Sequence, residues 1–423
     1  MARPPVSQPQ VITLGCRLNT FESEIMRELG EGAGLEDTVI INTCAVTGEA
    51  ERQARQTIRR VRRDRPGAKI IVTGCAAQVN AAAFAAMPEV DRVLGNEEKL
   101  NPALLAASGP DVQVADIMAA RETAPHLISG LDGRTRAFVQ VQQGCDHRCT
   151  FCIIPFARGH NRSVATGAVA AQVRALVDKG FREAVLTGVD ICSYGADNPE
   201  MPGLGGLIEE VLAAVPELQR LRLSSIDPAA IDEDLFKVLA EEERLMPHLH
   251  LSLQAMDDMV LKRMKRRHTS QDAVAVVQRI RKARPDIAFG ADLIAGFPTE
   301  TDEMFANTLS AVADLELVHL HVFPYSPRPG TPAARMPEVP GPVRKERARR
   351  LREAGAKGLS RFLKGLTGTY LQVLVEKPRF GLSQHYVPVR LDFDAPVGEV
   401  VDVRVIEAKD DCLIAAQDKM SAA

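Results

Sequence analysis

Along the first hundred residues, short and nearly uninterrupted apolar runs alternate with stretches whose apolar positions recur every three or four residues. The runs Val11–Cys16, Thr38–Cys44 and Lys69–Cys75, with a further one at Val90–Leu94, are rich in β-branched residues and predict strands buried on both faces. Between them, Glu49–Arg63 sets Ala54, Ile58 and Val61 on one face and arginines on the other, as an amphipathic helix does. Asn19 and Glu22 follow the first run with the spacing of a helix N-cap and its reciprocal acid. Such strand–helix alternation predicts an α/β domain built on a doubly wound parallel sheet.

Periodicity weakens over residues 97–134, where Pro102, Gly109-Pro110, Pro125 and Gly133 mark a connection. Alternation resumes at Arg136, with strands expected at Ala137–Gln142, Ala184–Thr187, Arg220–Ser224, His248–Leu253, Ile287–Leu293 and Leu317–Phe323. Six strand–helix units predict a partial TIM-type (β/α)6 barrel, with chemistry at the C-terminal strand ends. Arg344–Leu363 reads as a basic amphipathic helix. Beyond it the period drops to two, at Tyr370–Val375, Tyr386–Leu391 and Val401–Ile406, which predicts a small antiparallel β-barrel. The domains are accordingly placed at 8–118, 131–345 and 360–423.

Composition narrows the functional classes. With 45% hydrophobic and 25% charged residues over 423 positions, the chain has the profile of a soluble globular protein of two or three domains. The opening MARPPVSQPQ lacks an apolar h-region and no window approaches eighteen apolar residues, so neither secretion nor membrane spanning is expected and the cytoplasm is. A net charge of −3 gives no global nucleic-acid signal. Local basic clusters stand at Arg59–Arg65, Lys262–Arg267 and Arg344–Arg352, and such runs are more often solvated helix faces than binding patches.

The cysteines carry the chemistry. Cys145, Cys149 and Cys152 lie four and then three residues apart, directly after the first barrel strand. In a chain with reduced thiols that spacing indicates a metal, and three ligands leave one position open on an iron–sulfur cube. A zinc site completed by His147 or His160 is the alternative. Cys16, Cys44 and Cys75 each close a strand of the first domain, so the topology brings them to one edge of the sheet as a second three-thiolate site. Asp190, just after an expected barrel strand, reads from the residues alone as a helix N-cap. The four histidines at 248, 250, 319 and 321 read as barrel-interior packing or hydrogen-bonding groups, and Cys192 and Cys412 as ordinary thiols.

The stretches TLGCRLNTFESE (13–24), INTCAVTGEAERQARQTIRR (41–60), VTGCAAQ (72–78), VQQGCDHRCTFCIIPFARG (141–159), LTGVDICSYG (186–195), RLSSIDP (222–228), ADLIAGFPTET (291–301) and HVFPYSPRPGTPAARMP (321–337) resemble the methylthiotransferase family of radical S-adenosylmethionine (SAM) enzymes. The likeness covers nearly the whole chain from about Gln10, and Arg17-Leu18-Asn19-Thr20 resembles the subgroup acting on threonylcarbamoyladenosine in tRNA. Two departures stand out: Ala255-Met256-Asp257-Asp258 after Gln254, where Ser-Gly-Ser is usual, and Thr299 after Pro298, where glycine is commoner.

The resemblance implies two 4Fe-4S clusters and SAM. Cys145, Cys149 and Cys152 would hold the cluster that cleaves SAM to a 5′-deoxyadenosyl radical, while Cys16, Cys44 and Cys75 would hold a second, sulfur-carrying cluster. Gly188, Asp190, Ser224 and Gln254, at barrel strand ends, would contact SAM or substrate. The reaction implied is addition of a methylthio group to carbon-2 of the modified adenosine next to the anticodon. The C-terminal barrel would correspond to the RNA-binding TRAM domain, with the tRNA anticodon stem-loop as partner and flavodoxin or ferredoxin as electron donor. Isopentenyladenosine in tRNA and an aspartate of a ribosomal protein are the alternative substrates within the family. A non-catalytic iron–sulfur RNA-binding protein is the alternative outside it.

Overall fold

The computed structural model describes residues 9–107, 111–121, 128, 130 and 133–417. Gly109, Pro110 and Pro125 lie outside them. Five parallel strands form the first sheet: β1 (Gln10–Thr13), β2 (Thr38–Thr43), β3 (Lys69–Gly74), β4 (Arg92–Leu94) and β5 (Asp111–Gln113). Every residue of β2 is buried, which is why its run is uninterrupted. Helices cover both faces. Ala54, Ile58 and Val61 of the helix Gly48–Asp64 pack with Val39, Ile41, Ile70 and Val72, while Met26 of the helix Arg17–Gly32 packs with Ile40 and Ile71. Strand order follows the chain, so the sheet has no internal reversal of the kind that marks a dinucleotide crevice. The fifth strand was not expected. Three residues inside a proline- and glycine-marked connection carry no readable period.

Asn19 and Glu22 correct the sequence reading. Cys16, not Asn19, is the N-cap of the helix Arg17–Gly32, and no side chain caps it. Both residues lie a turn inside the helix, buried, and face the sheet edge instead.

The central unit is an arc of six parallel strands: β6 (Arg136–Gln140), β9 (Glu183–Thr187) and β10 (Arg220–Leu223), then β11 (His248–Gln254), β12 (Ala288–Ala295) and β13 (His319–Pro324). The bridges Leu221–Leu245 and Ile226–Leu251 join the two halves. A short antiparallel pair, β7 (Gln142–Gln143) with β8 (Arg162–Ser163), brackets the cysteine loop. Phe21 and Ile25, from the first domain's opening helix, are buried in the barrel's own apolar core, so the two units share packing rather than a linker.

After the 25-residue helix Gly341–Gly365 the chain closes a five-stranded barrel from β14 (Tyr370–Lys377), β15 (Phe380–Ser383), β16 (Pro388–Leu391), β17 (Val400–Ala408) and β18 (Leu413–Gln417), in the order β14-β15-β16-β18-β17. Its alternating inward positions, among them Leu371, Val373, Val403 and Val405, are buried with Leu363 of the helix. Two strands beyond the expected three appear, and β16 pairs with β18 in parallel. This barrel docks on the N-terminal end of the six-strand arc. Arg222 donates to the carbonyls of Ser383 and Gln384, and the ring of Tyr386 stacks on buried His248 at 5.1 Å. The Tyr386 hydroxyl accepts from Arg136 at 2.6 Å and from Arg17, the residue after Cys16, at 3.3 Å.

Candidate functional site

Parallel register sets the first cysteine triad. Thr13 pairs with Asn42 and Thr43 with Gly74, so the chain leaves β1, β2 and β3 side by side at Gly15-Cys16, Cys44 and Cys75. Both Gly15 and Gly74 have positive φ. A Cβ on Gly15 would stand 3.0 Å from the Cys44 sulfur, so only glycine lets the two turns approach this closely. Asn19 ties them together, its amide donating to the Leu14 carbonyl at 2.7 Å and the Thr43 carbonyl at 3.0 Å. Burial, with smaller contributions from Cys75 and Cys16, pushes the Cys44 thiol up to about 12.

Beneath this triad lies a charged cluster without solvent contact. Arg158 is 1% exposed, and its guanidinium pairs with both oxygens of Glu22. It also donates to Gln143 at 2.8 Å and Asn19 at 2.6 Å, and through Nε to the Cys75 sulfur at 3.1 Å. Lys99, equally buried, donates to Glu22 at 2.6 Å and to Asn96 at 2.8 Å. None of these roles was expected from the sequence, where an arginine ending a short helix looks like any solvated charge.

The second triad occupies the loop between β7 and the helix Ile154–Arg158. Gly144 has φ +75°, and a Cβ there would fall 1.7 Å from the His160 carbonyl oxygen, so the step into Cys145 requires glycine. Gln142 organises the loop. Its amide donates to the carbonyls of Gln143 and Gly144 and to Asn161, while its oxygen accepts from the backbone of Val189 at 3.0 Å and Asp190 at 2.9 Å. Phe151, the aromatic before Cys152, packs edge-on against Phe297 at 6.4 Å. Desolvation, helped by the Asp190 carboxylate at Cys145 and by neighbouring thiols at both, holds the Cys145 and Cys152 thiols up at about 12.

The other expected residues fall as follows. Gly188 approaches so closely that a Cβ would meet the Gln142 carbonyl at 2.8 Å. Asp190 begins a single 3-10 turn yet gives it no side-chain cap; its carboxylate lies 3.9 Å from the Cys145 sulfur, 3.0 Å from His147 Nε2 and accepts from Ser193 at 2.7 Å. Ser224 and Gln254 stand half-buried at the C-terminal ends of β10 and β11. His160 is engaged by Asp146 at 2.6 Å.

Arg266, inside a basic cluster expected to be a solvated face, is instead half-buried with its side chain turned inward. It lies 3.7 Å from the Cys149 sulfur and 3.2 Å from Asp227. Of the Arg59–Arg65 group, Arg62 and Arg65 are committed to Asp91 and Asp37, and Arg59, Arg60 and Arg63 remain exposed.

The donor sets fit iron–sulfur clusters. Among the described residues, the one trio of His, Cys, Asp or Glu side chains with ligand atoms all within 4.8 Å is His250, Asp292 and His321, a mid-barrel group in which both imidazoles meet one Asp292 oxygen at 3.1 Å. The sulfurs of each cysteine triad are spread more widely. A single tetrahedral zinc with bonds near 2.3 Å needs its sulfurs within about 4 Å of each other, so the wider spacing suits a polynuclear cluster.

Of the two departures from the usual loop sequence, Ala255–Asp258 follows directly on Gln254, which has φ +67°, and Thr299 itself is left-handed. Its φ is +66°, fixed by a hydrogen bond from its N–H to the Pro337 carbonyl at 3.1 Å. A β-branched residue there is strained, which explains the commoner glycine. Thr299→Gly is expected to stabilise the fold by about 1 kcal/mol, read as a higher urea midpoint at unchanged slope.

Comparison with known proteins agrees with this geometry. A radical SAM superfamily model matches residues 139–312, and the model described as uncharacterized protein family UPF0004 matches residues 8–95. The threonylcarbamoyladenosine tRNA methylthiotransferase MtaB of Rickettsia prowazekii is 51% identical over 397 residues, covering 94% of each chain. The MtaB of Bacillus subtilis is 34% identical over 94% of this chain and 93% of its own. The tRNA-2-methylthio-N(6)-dimethylallyladenosine synthase of Erythrobacter litoralis is 34% identical over 94% of each. Among solved structures, the radical SAM methyltransferase TsrM from Kitasatospora setae superposes with a TM-score of 0.53 at 17% identity, over 73% of this chain and 66% of that one, a likeness of fold alone. This protein belongs to the radical SAM methylthiotransferase family, within the threonylcarbamoyladenosine subgroup.

Proposed function

We propose that this protein is a tRNA methylthiotransferase that adds a methylthio group to carbon-2 of threonylcarbamoyladenosine beside the anticodon. The observation that carries the reading is the 51% identity with the Rickettsia prowazekii enzyme along 94% of both chains. Cys145, Cys149 and Cys152 hold one 4Fe-4S cluster with an iron left open to SAM, and Cys16, Cys44 and Cys75 hold another. When bound, these groups supply a 5′-deoxyadenosyl radical and a methylated sulfur for an aromatic C–H that acid–base catalysis leaves untouched.

The chain's own residues hold and screen. Gln142 locks the cysteine loop to the Val189-Asp190 backbone, and Phe151 anchors it by packing edge-on against Phe297. Gly188, Asp190, Ser224 and Gln254 face SAM or the substrate from the barrel strand ends. The domains 8–118, 131–345 and 360–423 divide the work into sulfur delivery, radical generation and RNA binding. The C-terminal barrel and the exposed Arg59, Arg60 and Arg63 meet phosphates of the anticodon stem-loop, which makes binding weaken with salt. No helix of the described residues is long and apolar enough to cross a membrane. A cytoplasmic setting with flavodoxin or ferredoxin as electron donor fits the reaction.

Nucleoside analysis of tRNA from cells lacking this protein tests the reading. Methylthiolated threonylcarbamoyladenosine should disappear while methylthiolated isopentenyladenosine persists. Loss of only the isopentenyl product would move the assignment to that substrate.

A further inference from the structure

The hydrogen-bonded group beneath the first cysteine triad is unbalanced in charge. Glu22 is the one anion in it, and Arg158 and Lys99 are both cations. The remaining members, Asn19, Asn96 and Gln143, are neutral. Lys99 alone would neutralise Glu22. A buried charge left without a partner is costly, so the surplus cation needs a counter-charge. Arg158 spends its two terminal nitrogens on Glu22, Asn19 and Gln143, and the donor it has left, Nε–H, points at the Cys75 sulfur 3.1 Å away. The Cys75 sulfur, as a cluster ligand, is thus the group placed to supply the missing negative charge.

Position adds a second consequence. Arg158 closes the helix that follows Cys152, and the carbonyl of the next residue, Gly159, accepts from the Cys145 backbone at 3.0 Å. A side chain belonging to the loop of one triad therefore contacts a sulfur of the other.

We propose that Arg158 is a positioning residue for the cluster on Cys16, Cys44 and Cys75: its Nε–H bond to the Cys75 sulfur raises that cluster's reduction potential and fixes it against the SAM-cluster loop. The inference rests on the assignment of a cluster to those three cysteines. A charge-assisted hydrogen bond to a ligating thiolate withdraws electron density and favours the reduced, more negative state.

The test uses the full chain, reconstituted anaerobically with iron and sulfide, with Cys145, Cys149 and Cys152 replaced by Ala so that only the second cluster forms. Its midpoint potential is read by a redox titration followed by electron paramagnetic resonance, and its iron content after a fixed EDTA challenge. Arg158→Gln should lower the midpoint and speed iron loss. Arg158→Lys, which keeps the charge without the fixed Nε–H, should recover part of both, and it carries the test alone if the Gln variant does not fold. In the mirror background, with Cys16, Cys44 and Cys75 replaced by Ala, Arg158→Lys should leave the SAM-cluster midpoint unchanged. Unaltered potential and iron retention in the Lys and Gln variants, or an equal shift of both clusters, overturns the proposal. Absence of iron from the second triad in the Arg158 parent overturns the cluster assignment as well, which distinguishes the two failures.

Discussion

Cys75→Ala is expected to abolish methylthio product while leaving SAM cleavage intact. The two triads sit on separate elements: Cys145, Cys149 and Cys152 on one loop held by Gln142 and Phe151, and Cys16, Cys44 and Cys75 on the exits of three strands. Cys75→Ala removes the acceptor of the Arg158 Nε–H but leaves the bonds by which Gln142 and Phe151 hold the cysteine loop, so reductive production of 5′-deoxyadenosine should continue with dithionite as reductant. Methylthiolated nucleoside should fall by at least 100-fold, because the sulfur to be transferred has lost its anchorage. Cys16→Ala and Cys44→Ala should behave alike. The reciprocal variant Cys149→Ala should lose both 5′-deoxyadenosine and product. Chromatographic quantification of the two small molecules from one reaction separates these outcomes. Full product from Cys75→Ala would remove the two-cluster reading altogether.

The strand-end cysteines could be anticipated because parallel strands with uninterrupted β-branched runs leave little freedom in where their exits lie. The groups beneath them could not. An interval of three between Asn19 and Glu22 is shared by a capping box and by two inward positions of one helix face, and the interval alone does not choose between them. The choice is made by Arg158 and Lys99, 136 and 77 residues away from Glu22 in sequence. Arg266 was hidden similarly. In a run of five basic residues nothing marks the one whose guanidinium turns inward to Asp227 and Cys149. Local pattern reports the face of an element, and buried ion pairs depend on which distant face meets it. The short strands β5 and β15 fall below the length at which a period of two becomes visible.

Within that buried ion cluster, Glu22 is where the fold is most exposed to the gain of a single proton. Burial alone would raise the Glu22 carboxyl, but Arg158 and Lys99 outweigh it and hold the group down at about 2. An unfolded glutamate titrates near 4.3, so the folded state binds the proton less readily than the unfolded one. The stabilisation is therefore complete above about pH 4.3 and is lost as pH falls through about 2, amounting to roughly 3 kcal/mol. Glu22→Gln removes it at every pH and takes from Lys99 its buried counter-charge and from Arg158 one of two, for a cost of about 3–5 kcal/mol at pH 7. Urea denaturation at pH 7 should show that loss, and between pH 5 and pH 3 the wild type should lose stability more steeply than the variant. Adding Lys99→Met to Glu22→Gln should restore part of the difference, because the pair's penalty comes from an uncompensated charge rather than a lost contact. Equal acid sensitivity of wild type and Glu22→Gln would mean that the carboxylate is not ionised in the folded protein, and the excess positive charge assigned to the Arg158–Lys99 pair would be larger still.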